Sequence, residues 1–280
     1  MVADRDVARR TFSWSSGELV EQADDAPDTP TAAWPVVAAD SWLVSDGAVA
    51  AIAVHRARFD AAVAAATGPG AGPDLDLDLD AFWGAVIDRV PLEGDWFPRV
   101  ELRDTGGGLL ARFILRPAPD RALSVTVATH LGHDPRSTPT VKGPDLEALA
   151  AARDAGRARG AEEIVLLSPE GLVVEGGYSS LLWWRGDTLC VPPADLERIP
   201  SVTEASILAL AAALGVEVIH DPATPADLDG LEIWAVNALH GIRIVASWVD
   251  GPSPAELPGR LALWRARLGR LSRPIGTVAA

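Results

Sequence analysis

The chain has 280 residues, 48% of them hydrophobic, and its 39 acidic against 24 basic residues give a formal net charge of −15. Such a balance leaves no basic patch or stripe for a phosphate backbone, and the one cysteine, Cys190, excludes a disulfide framework or a cysteine-rich metal site. The opening MVADRDVARR has no apolar signal core, and no apolar run nears the ~20 residues that span a bilayer. A soluble, cytoplasmic globular protein with no nucleic-acid or membrane partner is expected.

Residues 1–130 read as an α+β unit. Short strands are predicted near 34–38, 41–45 and 49–54, then a helix through HRARFDAAVAAA from His55. The segment TGPGAGPDLDLDLD (67–80) reads as a loop that turns into a helix near Ala81; it lacks the glycine and terminal glutamate of a calcium loop. PRVELR, LLARFILRP and LSVTVATH then form three successive strands, with GGG at 106–108 as one turn. The turn-forming stretch THLGHDPRSTP (129–139) marks a domain connection, and a second unit is expected over 131–280. In it the spacing of Leu146, Leu149 and Ala150 predicts a helix over 145–159. EEIVLLS, GLVVEGG, SLLWW and TLCVPP follow as short strands, then a helix over 204–214. VEVIH, EIWAVN and RIVASWV are strands, and a helix over 257–270 closes the chain. The ten tryptophans are scattered, which suits core or domain-contact positions.

Lys142 is the only lysine among the 24 cationic residues. Arginine replaces lysine wherever only a positive charge is needed, but guanidinium stays protonated and is a poor nucleophile. A lone surviving lysine therefore points to amine chemistry, although chance survival on a surface reads equally well from composition. Glu175 ends an apolar strand beside two glycines, where a carboxylate can meet a ring nitrogen or simply be a hairpin charge. Ser201 and Glu204 have capping-box spacing, and a capped helix start also offers backbone N–H groups to a phosphate. IWAVNALHGIRIV holds a polar turn between two apolar strands.

Taken in order, these segments resemble the class IV aminotransferases, the pyridoxal-phosphate family that includes branched-chain and D-amino-acid aminotransferases and 4-amino-4-deoxychorismate lyase. The likeness runs over roughly residues 40 to 250. It is carried by LVSDGAVAAIAVHRARF, with His55 and Arg58 at the H-x-x-R positions, and by TVKGPDLEAL. GAEEIVLLSPEGLVVEGGYSSLLWW, IPSVTEASI and VNALHGIRIV complete it.

The resemblance implies a two-domain α+β fold, with a smaller N-terminal α/β sandwich over 1–130 and a larger C-terminal pseudo-barrel over 131–280. The latter would carry the Schiff-base lysine, with pyridoxal 5'-phosphate between the two and a homodimeric assembly. Carried over, Lys142 is the amine that condenses with the cofactor aldehyde, and Glu175 keeps the pyridine nitrogen protonated. Val202 and Thr203, with Asn237 and Ala238, form the phosphate cup. Arg103 falls where D-amino-acid enzymes hold a substrate carboxylate, and Tyr178 borders either the ring or the core. The likeness also shows departures: Leu43 stands where an arginine on the phosphate is expected, with Arg56, Arg99 and Arg136 as candidates to replace it. Ser180, Ser201 and Glu204 replace an asparagine, a glycine and an arginine. The implied activity is that of a lyase or transaminase on the amine of a small amino-acid-like substrate. NAL at 237–239 and Leu43 lean slightly toward the lyase, which yields 4-aminobenzoate and pyruvate; amino-acid transamination is the alternative, and a non-catalytic descendant the third reading.

Overall fold

The structure, a computed structural model, describes residues 9–22, 34–68 and 77–278. Residues 69–76 of the expected acidic connector therefore lie outside it. The chain divides into two compact units: residues 1–120, 141–144 and 271–280 form one, and 121–140 with 145–270 the other. The fold is α+β.

In the first unit, β1 (Arg10–Ser15), β2 (Glu18–Gln22), β3 (Val36–Ser41), β7 (Arg99–Asp104) and β8 (Leu109–Leu115) form an antiparallel sheet in the order β2-β1-β8-β7-β3. The short strands β4 (Val44–Ser45), β5 (Ala48–Val49), β6 (Asp95–Trp96) and β17 (Arg273–Pro274) make a second sheet. Two helices, α1 (Ile52–Ala66) and α2 (Leu79–Arg89), contribute Ile52, Phe59, Val63, Phe82, Trp83 and Val86 to a core shared with Phe12, Trp42, Val100 and Phe113. The β1–β2 hairpin was not foreseen from the sequence, although its signal was present. Ser16 and Gly17 both have positive φ (52° and 82°), the turn geometry that matches strand twist.

The second unit is built on an eight-stranded, curled sheet. Its strands are β9 (Ser124–Thr129), β10 (Glu163–Leu167), β11 (Val173–Gly176), β12 (Ser180–Arg185), β13 (Thr188–Val191), β14 (Val218–His220), β15 (Glu232–Asn237) and β16 (Gly241–Val249). They run in the order β11-β10-β9-β16-β15-β12-β13-β14. One face encloses Val125, Val165, Leu181, Trp183, Val245 and Trp248. The other is covered by α3 (Leu146–Ala158), α4 (Val202–Ala213) and α5 (Arg260–Gly269). There Trp184, Trp234 and Trp264 meet edge to face at 5.2–5.7 Å. Eight of the ten tryptophans are buried, as expected for core residues.

Three placements differ from the sequence reading, the first being the strand expected near 49–54, which stops at Val49 because α1 already starts at Ile52. The third of the three consecutive strands, β9, leaves its predecessors and pairs in parallel with β10 and β16. Long-range pairing leaves no local trace, so adjacency in sequence misleads here. The lysine segment, expected to belong to the C-terminal half, clusters with the first unit as Val141–Pro144. The contact is backbone to backbone: Ala39 N donates to the Lys142 carbonyl at 2.7 Å, and Gly143 crosses β3 with φ +141°. A Cβ on Gly143 would stand 2.8 Å from Ala39 N and 2.9 Å from Ala38 Cα, so only glycine fits.

Candidate active site

The half-buried Lys142 and Arg103 lie in the first unit; Glu175, Tyr178, Val202, Thr203, Asn237 and Ala238 lie in the second. Arg103, on β7, donates to Glu101 Oε2 at 2.7 Å and to the Trp34 carbonyl at 2.8 Å. These contacts are structural, and they support the ion-pair reading of Arg103 already open from its sequence.

Asp145, at the N-terminus of α3, clamps the base of the loop that carries Lys142. Its carboxylate accepts from the backbone N–H and hydroxyl of both Ser137 and Thr138 at 2.7–3.1 Å. Burial opposes its charge, but these four donors overcome that and hold the carboxyl below its ordinary range.

Glu175 is the penultimate residue of β11, with 4% of its surface exposed, following the buried Val173 and Val174. The two glycines after it make the turn into β12. A Cβ on Gly176 would meet Ser179 Oγ at 2.5 Å, and one on Gly177 would meet the Glu163 carboxylate at 3.1 Å. The carboxylate of Glu175 accepts a short hydrogen bond from Arg136 Nη1 and a longer one from Ile199 N at 3.4 Å. The latter ties the end of β11 to the loop that opens α4.

At the start of α4, Ser201 Oγ accepts from Glu204 N at 3.2 Å, half of the capping box that the sequence suggests. The other half is missing, because the Glu204 carboxylate turns to Arg198 and accepts from both Nη atoms at 2.6 and 2.8 Å. Helix geometry leaves the N–H groups of Val202 and Thr203 without an intrahelical carbonyl, and no partner takes them among the described residues. Both residues are at least nine-tenths buried. Two such donors at the positive end of a helix are groups to which an anion can bind.

The turn between β15 and β16 is organised by Asn237. Its Oδ1 accepts from Leu239 N (3.1 Å) and His240 N (2.8 Å), and its Nδ2 donates to the Tyr178 carbonyl at 3.1 Å. Asn237 thus shapes the loop and joins it to the turn after Glu175. Tyr178 packs on the α3 face beside Leu149 and Ile164, with Arg153 4.3 Å from its ring centroid and its hydroxyl donating to the Leu146 carbonyl at 3.3 Å.

The three arginines singled out to replace the one missing at Leu43 are all in ion pairs. Arg56 holds Asp60 and Asp80, Arg99 holds Glu101, and Arg136 holds Asp134 and Glu175. His55 and Arg58 of the H-x-x-R segment converge on Asp40, which is fully buried: His55 Nδ1 lies 2.8 Å from Oδ1, and Arg58 contacts both oxygens at 2.8 Å. Asp40 was missed in the sequence, where a lone aspartate in VVAADS carries no signal of its partners. Among the described residues no cluster of His, Cys, Asp or Glu could hold a metal ion, and no helix is long and apolar enough to cross a membrane.

The buried Glu175 carboxylate, the Asn237 turn and the start of α4 thus lie in the second unit, and Lys142 lies in the first. Residues 38–248 match the family described as Amino-transferase class IV, and the chain belongs to that family. No curated protein matches this chain. Solved structures share the fold at low identity. A hypothetical aminotransferase from Mycobacterium tuberculosis, in its apo form, is 17% identical with a TM-score of 0.77, over 96% of this chain and 100% of that one. The branched-chain aminotransferase of the archaeon Thermoproteus uzoniensis, solved with norvaline, is 20% identical with a TM-score of 0.78, over 95% and 99%. An aminotransferase from Brucella abortus bound to the cofactor PLP is 16% identical with a TM-score of 0.74, over 93% and 98%.

Proposed function

We propose that this protein is a pyridoxal-phosphate-dependent enzyme that transfers the amino group of a small amino-acid-like substrate. The observation that carries this reading is the donor set of the second unit, which fits the two charged ends of that cofactor. The N–H groups of Val202 and Thr203 suit its phosphate, and the buried Glu175 suits a protonated ring nitrogen. The family match, which spans Lys142 and both turns, supports the same reading.

When bound, pyridoxal phosphate supplies an aldehyde that condenses with amines and a ring that delocalises the electron pair left by a departing proton. The chain's own residues do the rest. The Lys142 amine would hold the cofactor through its aldehyde, and as a free base it would carry the proton taken from the substrate α-carbon. Glu175 holds a proton at the ring nitrogen. Val202 and Thr203 bind the phosphate, and Asn237 fixes the turn at which Ala238 adds to that cup. The protein works as a cytoplasmic homodimer in this reading, as the family likeness suggests.

A second reading, 4-amino-4-deoxychorismate lyase, rests on the Asn237–Ala238–Leu239 turn, whose sequence resembles lyase members. Two parallel assays separate the two: amino acids with 2-oxoglutarate, read as glutamate, and aminodeoxychorismate, read as pyruvate. Whichever chemistry is found, the full chain incubated with pyridoxal phosphate should gain a visible absorption band that borohydride bleaches. Lys142→Ala should lack the band and lose at least ~10²–10⁴-fold in rate. A chain that gains no band under any condition would sink the enzyme reading.

A further inference from the structure

Arg136 is almost wholly enclosed, with 3% of its side chain exposed, in a loop that also supplies Asp134. Its Nε and Nη2 grip the Asp134 carboxylate at 2.6–3.1 Å, and its Nη2 reaches the Glu197 carbonyl at 3.3 Å. Its remaining terminal nitrogen, Nη1, donates to Glu175 Oε1. The guanidinium is thus fixed at three points, with one N–H group directed at the carboxylate that the proposed function places against the cofactor ring.

We infer that Arg136 is a positioning residue that keeps Glu175 charged and in one rotamer before the cofactor arrives. The physical need is specific to this site. Glu175 has 6% of its side chain exposed, at the end of an apolar strand, and an isolated carboxyl in such surroundings holds its proton. A protonated Glu175 would have to lose that proton before it could pair with a protonated ring. The guanidinium removes the obstacle by stabilising the carboxylate in advance. Burial opposes the charge of Arg136 as well, but Asp134 and Glu175 more than offset this, so the cation persists at every working pH.

Other charged groups surround the pair. Asp134 and Asp145 act on Arg136 from its own side, and Glu197 lies on the loop before α4. Glu163, on the adjacent β10, is held by Arg153 and Arg243. All of these, and every further partner of Glu175, are common to the wild type and the variants below, so a comparison isolates Arg136.

The inference rests on Glu175 as the ring's partner, and the test separates the two. Pyridoxal phosphate affinity is measured on the full-length apo protein by absorbance from pH 5 to 8, for the wild type, Arg136→Met, Arg136→Gln, Arg136→Lys and Glu175→Gln. At acid pH the free ring is already protonated, so a neutral Glu175 must release one proton on binding. Affinity then falls about tenfold per pH unit below the carboxyl's own pKa. The acid limb should move to higher pH in both neutral variants, and Arg136→Lys should keep it near the wild-type position. Glu175→Gln should lose this limb, leaving only the acid dependence that the cofactor phosphate, with a second pKa of ~6, gives to every form alike. If the two neutral variants titrate like the wild type while Glu175→Gln loses the limb, Arg136 does not have this role. If Glu175→Gln retains both limb and affinity, it is the ring-partner reading of Glu175 that fails. Scoring by the position of the limb rather than by absolute affinity keeps the result independent of any uniform loss of stability.

Discussion

The Asp40 carboxylate is the charge most completely removed from water in the first unit, and it survives there because two cations close on it. Burial alone would raise its pKa; His55 and Arg58 reverse this and bring it down to about 2. A buried ion cluster adds little net stability over an apolar one, yet removing one member strands the rest. Asp40→Asn is therefore expected to cost roughly 3–5 kcal/mol, read as a lower urea midpoint at pH 7. The lysine illustrates the opposite relation between residue and sequence. Its rarity was visible in composition, whereas Asp40, one of many aspartates, became distinctive only when the fold brought His55 and Arg58 onto it.

At the scale of elements, two local devices fix the backbone at the residues proposed to carry the chemistry. Gly143 lets the lysine segment cross β3 in backbone contact, with a φ that other residues rarely adopt. Gly143→Ala should cost roughly 1–3 kcal/mol and weaken the borohydride-sensitive band, because fixed backbone atoms cannot yield to the new Cβ. Ser201 caps α4 through Glu204 N, so Ser201→Ala should lower stability by about 1 kcal/mol, while Ser201→Gly should cost only a few tenths. Equal losses for both would show that the hydroxyl is not the operative cap. The helix start was legible in PSVTE, because capping chemistry is local. The half of the box that failed was not, since Arg198 competes for Glu204 through a loop conformation that spacing does not encode.

At the scale of the whole molecule, the two units carry acid-sensitive groups with separate windows. In the first, the stability that Asp40 contributes, about 2 kcal/mol, is complete above its unfolded pKa near 4 and is lost as the pH falls through about 2. In the second, burial and then Arg243, Arg265, Arg153 and Arg121 depress His240 to about 4, while its Nδ1 accepts from Ala122 N. Its contribution is complete above about 6.5 and is lost as the pH falls through about 4, so the second unit should weaken first on acidification. Urea unfolding followed at pH 7, 5 and 3, with Asp40→Asn and His240→Gln compared to the wild type, checks the order; coincident windows would contradict it. The sequence by itself determined the family and most helices and strands, and it singled out the lone lysine as a candidate, because hydrophobic period, turn residues and motif spacing are properties of short stretches. It also named Glu175 and the two turns as candidates for the site. Only the tertiary structure decided that β9 joins the second sheet, that the lysine segment packs on β3, and that Arg136 rather than solvent faces Glu175. Those outcomes depend on pairings between residues far apart in the chain, where burial and charge are settled by neighbours that no local pattern specifies.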